Sequence, residues 1–195
     1  AYQIAKRGIK VKLYEMKPDK FSPAHCNTNL AEIVCSNSFK SNLHTNACGL
    51  LKEELRLLDS LLIKTADKVA VPAGQALAVD RERFAEEITK KIESLENVKI
   101  IRKEVGNSTK KYAKNEFNQK NLEKNEDDSQ DNAVCLKQLA KDGIVIIATG
   151  PLTSDQLSQE IIELTGNEGL HFYDAAAPII EKDSINMNIA FWGDR

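Results

Sequence analysis

The chain has 195 residues, a formal net charge of −2 and 42% hydrophobic residues, enough for one domain and part of another. Its longest apolar runs, such as Ile144 to Ala148, are far too short to span a bilayer, and no apolar h-region near the start marks a secretory signal; the expectation is a soluble, cytoplasmic protein with no membrane partner. The near-neutral charge excludes a chain-wide electrostatic footprint for nucleic acid, so an RNA-binding face must be local or lie outside this stretch.

Ala1 to Arg7 reads as the last turns of a helix with Ile4 and Ala5 inward, ended by Gly8, which takes positive φ without penalty. Ile9 to Tyr14 alternates apolar and basic residues, with Ile9, Val11 and Leu13 on one face, and predicts a half-buried strand ending in Glu15. Helix, glycine, then a strand ending in an acid is the back half of a dinucleotide-binding βαβ unit, where that acid bonds the ribose hydroxyls. An ordinary α/β repeat with a surface glutamate fits the same residues.

Phe21 to Ala47 is rich in Asn, Ser, Thr and His and reads as a long ordered loop with one helical turn at most, a length that points to function. Gly49 to Ile63 predicts a single amphipathic helix with Leu50, Leu51, Leu55, Leu58, Leu61 and Leu62 inward. Val69 to Val79 predicts a strand pair or extended loop around Pro72 and Gly74. Asp80 is placed to cap a helix to about Leu95, with Phe84, Ile88, Ile92 and Leu95 inward, and Val98 to Ile101 follows as a strand.

Gly106 to Asn132 is crowded with Lys, Asn, Glu, Asp and Gln; with so little to bury it reads as an exposed, mobile insertion. Ile144 to Ala148 is fully apolar and predicts a buried parallel strand, leading into Thr149-Gly150-Pro151. Ser154 caps a helix from Asp155 to Leu164 that stops near Gly166, and Leu170 to Tyr173 reads as a short strand. With Ala1 already inside a helix and the apolar Ala190-Phe191-Trp192 just before Arg195, the chain reads as an interior piece of a longer protein.

Cys35 is the residue most suggestive of chemistry. It lies in the polar run Val34-Cys35-Ser36-Asn37-Ser38, where exposure and nearby amides favour a thiolate nucleophile. A small buried hydrophobe is the other reading of a free cysteine. His25, Cys26, Cys35, His44 and Cys48 are zinc-type ligands, but they lack the paired spacings of structural sites, so no metal is expected. Cys135 is the remaining cysteine, and with no C-x-x-C pair all four read as reduced thiols. Gly150 after an apolar strand suits close approach of a cofactor to the backbone. Arg81 reads equally as an anion contact or a solvated helix start, and His171 as a core or surface histidine.

Several stretches together resemble a known family. They are Leu13-Tyr14-Glu15-Met16-Lys17-Pro18, Leu30 to Ser38, Gly49 to Glu54, Pro72-Ala73-Gly74, Ala76 to Arg81, Ala148 to Ser154 and Phe172 to Pro178. The chain is similar over nearly its whole length to the folate- and FAD-dependent tRNA uracil-5-methyltransferases, relatives of the glucose-inhibited division protein A group. The resemblance implies methylation of a uridine in the tRNA T loop. It also implies methylenetetrahydrofolate as carbon donor, with FAD recharged by NAD(P)H. It assigns Cys35 to carbon transfer or proton handling, Glu15 to the FAD ribose with Met16 and Lys17 beside it in the cofactor site, the backbone of Val105 to the adenine, and Thr149 and Gly150 to the pyrophosphate side. The family's glycine-rich phosphate loop is not in this stretch, so the chain alone is expected to bind FAD weakly or not at all and to be inactive. A flavoprotein that installs carboxymethylaminomethyl groups on wobble uridines, or a non-catalytic remnant, are the alternatives.

The expected architecture is therefore α/β: a partial Rossmann-like FAD-binding domain over residues 1–152, and the start of a second domain over 153–195.

Overall fold

The computed structural model describes residues 1–106, 134–166 and 182–189. The insertion over 107–132, the strand expected at Leu170 to Tyr173, and His171 lie outside them.

The fold is mixed α/β. Helix α1 (Tyr2–Ala5) gives way at Gly8, with φ +80, to strand β1 (Val11–Glu15). β1 pairs in parallel with β5 (Val98–Arg102), in a register running from Val11 opposite Val98 to Glu15 opposite Arg102. A second sheet is antiparallel, in the order β2 (Ser38–Ser41), β4 (Ala76–Val79), β3 (Ala70–Val71). β3 and β4 form a hairpin around Pro72 and Gly74, the strand pair rather than the extended loop of the two forms the sequence left open, with Gly74 at φ +59. The core gathers Leu30, Ala66, Val69, Leu77, Val79 and Phe84 with Ile88 and Ile92 of α4 (Arg81–Glu93), and Leu13, Val98 and Ile100 of the parallel pair pack against it. As read from the sequence, Asp80 caps α4, its Oδ1 accepting from the Arg83 amide at 3.1 Å.

Four expectations need correction. Ile9 lies before β1 and is exposed. The single helix over Gly49 to Ile63 is two helices, α2 (Ala47–Leu57) and α3 (Leu61–Lys68). The chain breaks at Asp59, with φ +58, and restarts at Ser60, whose side chain caps α3. Asp59 is worth its strain: its carboxylate is held by Lys6 and Lys64, whose hydrogen bonds pull its pKa down to about 2, and its carbonyl accepts from Gln3 at 2.8 Å. The leucine stripe does not all face the core: Leu50, Leu51, Leu58 and Leu62 are exposed, while Leu61 packs against it.

The third correction is β2, a strand inside what reads as loop. Phe39 anchors it, its ring centroid 5.5 Å from that of Phe84 with the two rings tilted by 56°. The fourth is Ile144 to Ala148, which is not a strand: the segment is exposed throughout, Ile144 almost completely at 96%, and no backbone ladder takes it up. Burial of a parallel strand requires backbone pairing with a neighbouring edge, and among the described residues this segment pairs with none. A helix the sequence did not advertise, α5 (Leu136–Asp142), precedes it. The last described helix, α6 (Asp155–Thr165), is capped by Ser154 and ends at Gly166 in the left-handed region, as expected.

Candidate active site

Glu15 ends β1 at the carboxyl edge of the parallel pair, the edge at which open α/β sheets bind ligands. Its Oε1 accepts from the Lys17 amide at 3.0 Å, so the turn after the strand fixes the carboxylate. Met16 is half-buried in that turn. Lys17 points inward: its side chain is 4% exposed, and its ammonium donates to the Asn29 carbonyl at 2.6 Å and to Glu32 Oε2 at 3.2 Å. What the Glu15-Met16-Lys17 turn offers a ligand is thus the strand-end carboxylate and backbone, with the lysine charge spent within the protein.

Glu32 gathers the next segment. Its Oε1 accepts from the amides of Cys26 at 2.8 Å and Asn27 at 3.2 Å, while Oε2 takes Lys17. Burial opposes its ionisation, but those two amides and the lysine outweigh burial and hold the carboxyl below its ordinary range. Leu30 is buried, and its amide donates to Thr89 Oγ1 of α4 at 2.9 Å. Beyond Cys35, Asn37 clips the chain to the end of β4 twice. Its carbonyl accepts from the Val79 amide, and its Nδ2 donates to the Val79 carbonyl, both at 3.0 Å. Between these anchors Cys35 is exposed, with Ser36 beside it. The result is a solvent-facing thiol on a loop tied down on both sides, the arrangement a nucleophile needs.

Val105 lies just beyond β5 and bridges Val134 in parallel, and the Gly106 amide donates to the Val134 carbonyl at 2.9 Å. Gly106 has φ +150, and a Cβ there would stand 2.6 Å from Cβ of Gln156, so only glycine lets this strand end seat on α6. Thr149 and Gly150 form an exposed polar turn of 3₁₀ type, continued through Leu152. Thr149 and Thr153 share a hydroxyl bond at 2.6 Å, Thr153 Oγ1 donates to the Gly150 carbonyl, and Gly150 has φ +69 with open space where a Cβ would lie.

The glucose-inhibited division protein A family model matches residues 1–195. The chain belongs to that family. Its curated relatives include methylenetetrahydrofolate–tRNA-(uracil-5-)-methyltransferases TrmFO. That of Fusobacterium nucleatum is 50% identical over all 195 residues of the chain, and that of Acetivibrio thermocellus 49% identical over 98% of the chain. The enzyme of Ligilactobacillus salivarius is 45% identical over the whole chain. The chain spans 38%, 37% and 37% of those relatives' lengths.

Within this family member, Glu32, Asn37, Thr89 and Arg102 are the residues that sequence reading missed. Each acts through a hydrogen bond to a distant segment, which periodicity does not report. The one visible signal was Glu32 set among the apolar residues Leu30, Ile33 and Val34, where an acid needs a partner. The ligand types weighed for zinc are not brought together: among the described residues no three His, Cys, Asp or Glu side chains form a metal-ligand group. His25 Nδ1 instead meets the Ser22 hydroxyl at 2.6 Å, and His44 pairs with Glu53 at 3.1 Å. Lys52 is buried with its ammonium on the carbonyls of Ser41 and Cys48, at 2.7 and 2.8 Å, joining the end of β2 to α2. Arg81 is exposed at the start of α4. No helix among the described residues is long and apolar enough to cross a membrane.

Proposed function

We propose that the protein carrying this chain methylates C5 of a uridine in the T loop of tRNA, taking the carbon from methylenetetrahydrofolate and using FAD recharged by NAD(P)H. The observation that carries this reading is the identity of 45–50% to curated methyltransferases of that name, spread along the whole chain. The same relatives favour methylation over carboxymethylaminomethyl transfer at wobble uridines, and cytoplasmic action accords with a tRNA substrate. Residues 1–152 belong to a Rossmann-like FAD-binding domain, and 153–195 open a second.

The residues fit a flavin dinucleotide. Glu15 stands at the carboxyl edge of the parallel pair with one oxygen held by the Lys17 amide, leaving the other for the ribose hydroxyls. Met16 and Lys17 contribute the turn's backbone, Val105 the backbone toward the adenine, and Thr149 with Gly150 a turn open enough for the pyrophosphate side. When bound, reduced FAD supplies the electrons that turn a transferred methylene into a methyl. Cys35 offers its thiolate to the one-carbon chemistry or carries a proton, from a loop that Glu32 and Asn37 hold still.

The test is methyl transfer by the flavin-loaded protein to a tRNA transcript, read as 5-methyluridine by mass spectrometry of the digested RNA. Product should require methylenetetrahydrofolate and map to the T loop. Cys35→Ala should abolish it with FAD retained, while Cys26→Ala and Cys48→Ala stay active. Modification confined to the wobble position would replace this reading. A Cys35→Ala variant working at the normal rate would remove Cys35 from the mechanism.

A further inference from the structure

We infer that Lys17 and Glu32 are positioning residues, a buried cross-link that sets the Cys35 loop against the strand-end turn of Glu15. The inference rests on the reading above, in which Glu15 faces the cofactor and Cys35 the reaction.

Lys17 serves two segments at once. Its amide holds the Glu15 carboxylate at 3.0 Å, and its carbonyl accepts from Arg102 of β5 at 3.2 Å. Its ammonium reaches across to Asn29 and Glu32. Glu32 mirrors this on the loop side, with one oxygen on the amides of Cys26 and Asn27 and the other on Lys17. Arg102 adds a second tie by donating also to the Thr28 carbonyl at 3.0 Å. Cys35 follows Glu32 by three positions and precedes the Asn37 clip by two, so the cross-link is the loop's near anchor.

A buried ion pair contributes little net stability compared with apolar side chains of the same volume, because desolvating two charges offsets their attraction. What this pair supplies that apolar packing would not is direction. Its hydrogen bonds hold the loop to one displacement from the Glu15 turn, and both side chains are nearly buried, at 4% and 9% exposure.

The experiment compares the flavin-loaded protein with its Lys17→Met/Glu32→Leu variant, which removes both charges together. Melting temperature and FAD content should stay near those of the parent. The kcat for methyl transfer should fall about 100-fold, the effect of a misplacement of roughly 1 Å, with KM for methylenetetrahydrofolate unchanged. Amide exchange at Cys26 and Asn27 should quicken. A double variant that folds and keeps its kcat overturns the proposal, because the pair would then be structural only. Should the double variant fail to fold, Glu32→Asp keeps the charge and draws the loop in by one methylene. It must lower kcat without raising KM, or the proposal fails. If the parent itself makes no 5-methyluridine, the functional reading fails instead. Amide exchange over residues 26–37 then decides the cross-link on its own: unchanged exchange in the variants sinks it.

Discussion

Two stretches of this chain fare differently against what their compositions suggest. Phe21 to Ala47 is polar and reads as a long ordered loop, and it is held along its length by Glu32, Leu30, Asn37 and Phe39. Ile144 to Ala148 is wholly apolar and has the look of a buried strand, yet it is exposed and its backbone joins no ladder. The difference lies in where each finds its partners. The polar loop is satisfied by groups the described chain supplies: a lysine from the turn after β1, a hydroxyl from α4, a backbone edge on β4. The apolar strand needs a neighbouring edge, and hydrophobicity cannot supply one.

The largest effect that would sharpen this contrast is single-sided removal of the buried pair. Lys17→Met alone leaves Glu32 without its counter-charge, and urea unfolding should show a loss of about 3 kcal/mol, the range for an orphaned buried ion. A loss under about 0.5 kcal/mol would mean the loop is not anchored there. Next, Asn37→Ala removes the bond to the Val79 carbonyl and should cost about 1 kcal/mol in the same assay; the Asn37 backbone bond survives, so the loop loosens without melting.

Acid should loosen the loop in two stages. Burial first, and Lys17 second, lower the pKa of His25 below its ordinary 6.5. Its contribution is therefore constant above pH 6.5 and declines as pH falls below that, because the unfolded chain takes up the proton more readily. Glu32, also depressed, contributes fully above 4.5 and loses its contribution as pH falls through its lower folded value. Loop amide exchange followed against pH should soften first below 6.5 and again below 4.5, and His25→Asn should erase only the first stage. The smallest effect belongs to the other stretch: Ile146→Lys in this chain should change stability by no more than about 0.5 kcal/mol, as for a surface site. A large loss there would show that the segment is buried after all.

The same contrast explains what could be read from sequence. Asp80, Ser154 and Gly166 carry local capping chemistry, and each element boundary they signal is where expected, whereas α1 ends at Ala5, two residues before the expected Arg7. Strand β1 was visible from its alternation, and β5 as the short run that follows the helix capped by Asp80. The split between α2 and α3 was missed although Ser60 is a cap, because the leucine spacing continues through Leu58 to Leu62 and outweighed a single serine. Gly49 was read as a helix start, whereas it is the position inside α2 where a Cβ would stand 1.8 Å from the Leu43 carbonyl, a contact that depends on the fold. Cys35 and Glu15 were legible as candidates by residue type and place. The cross-link behind them was not, since Lys17 and Glu32 meet only after the loop has closed.

Amide exchange on the 195-residue chain tests the central contrast most directly, because it reads both stretches in one measurement. The amides of Cys26, Asn27 and Leu30 donate to Glu32 and Thr89, and that of Val79 donates to Asn37, while those of Ile144 to Ile147 have no acceptor among the described residues. Protection at the first four with rapid exchange across 144–147 is the predicted result. Rapid exchange throughout 26–37 with protection at 144–147 would contradict it: the anchored loop would then be loose, and the apolar segment would be the buried strand its composition suggests.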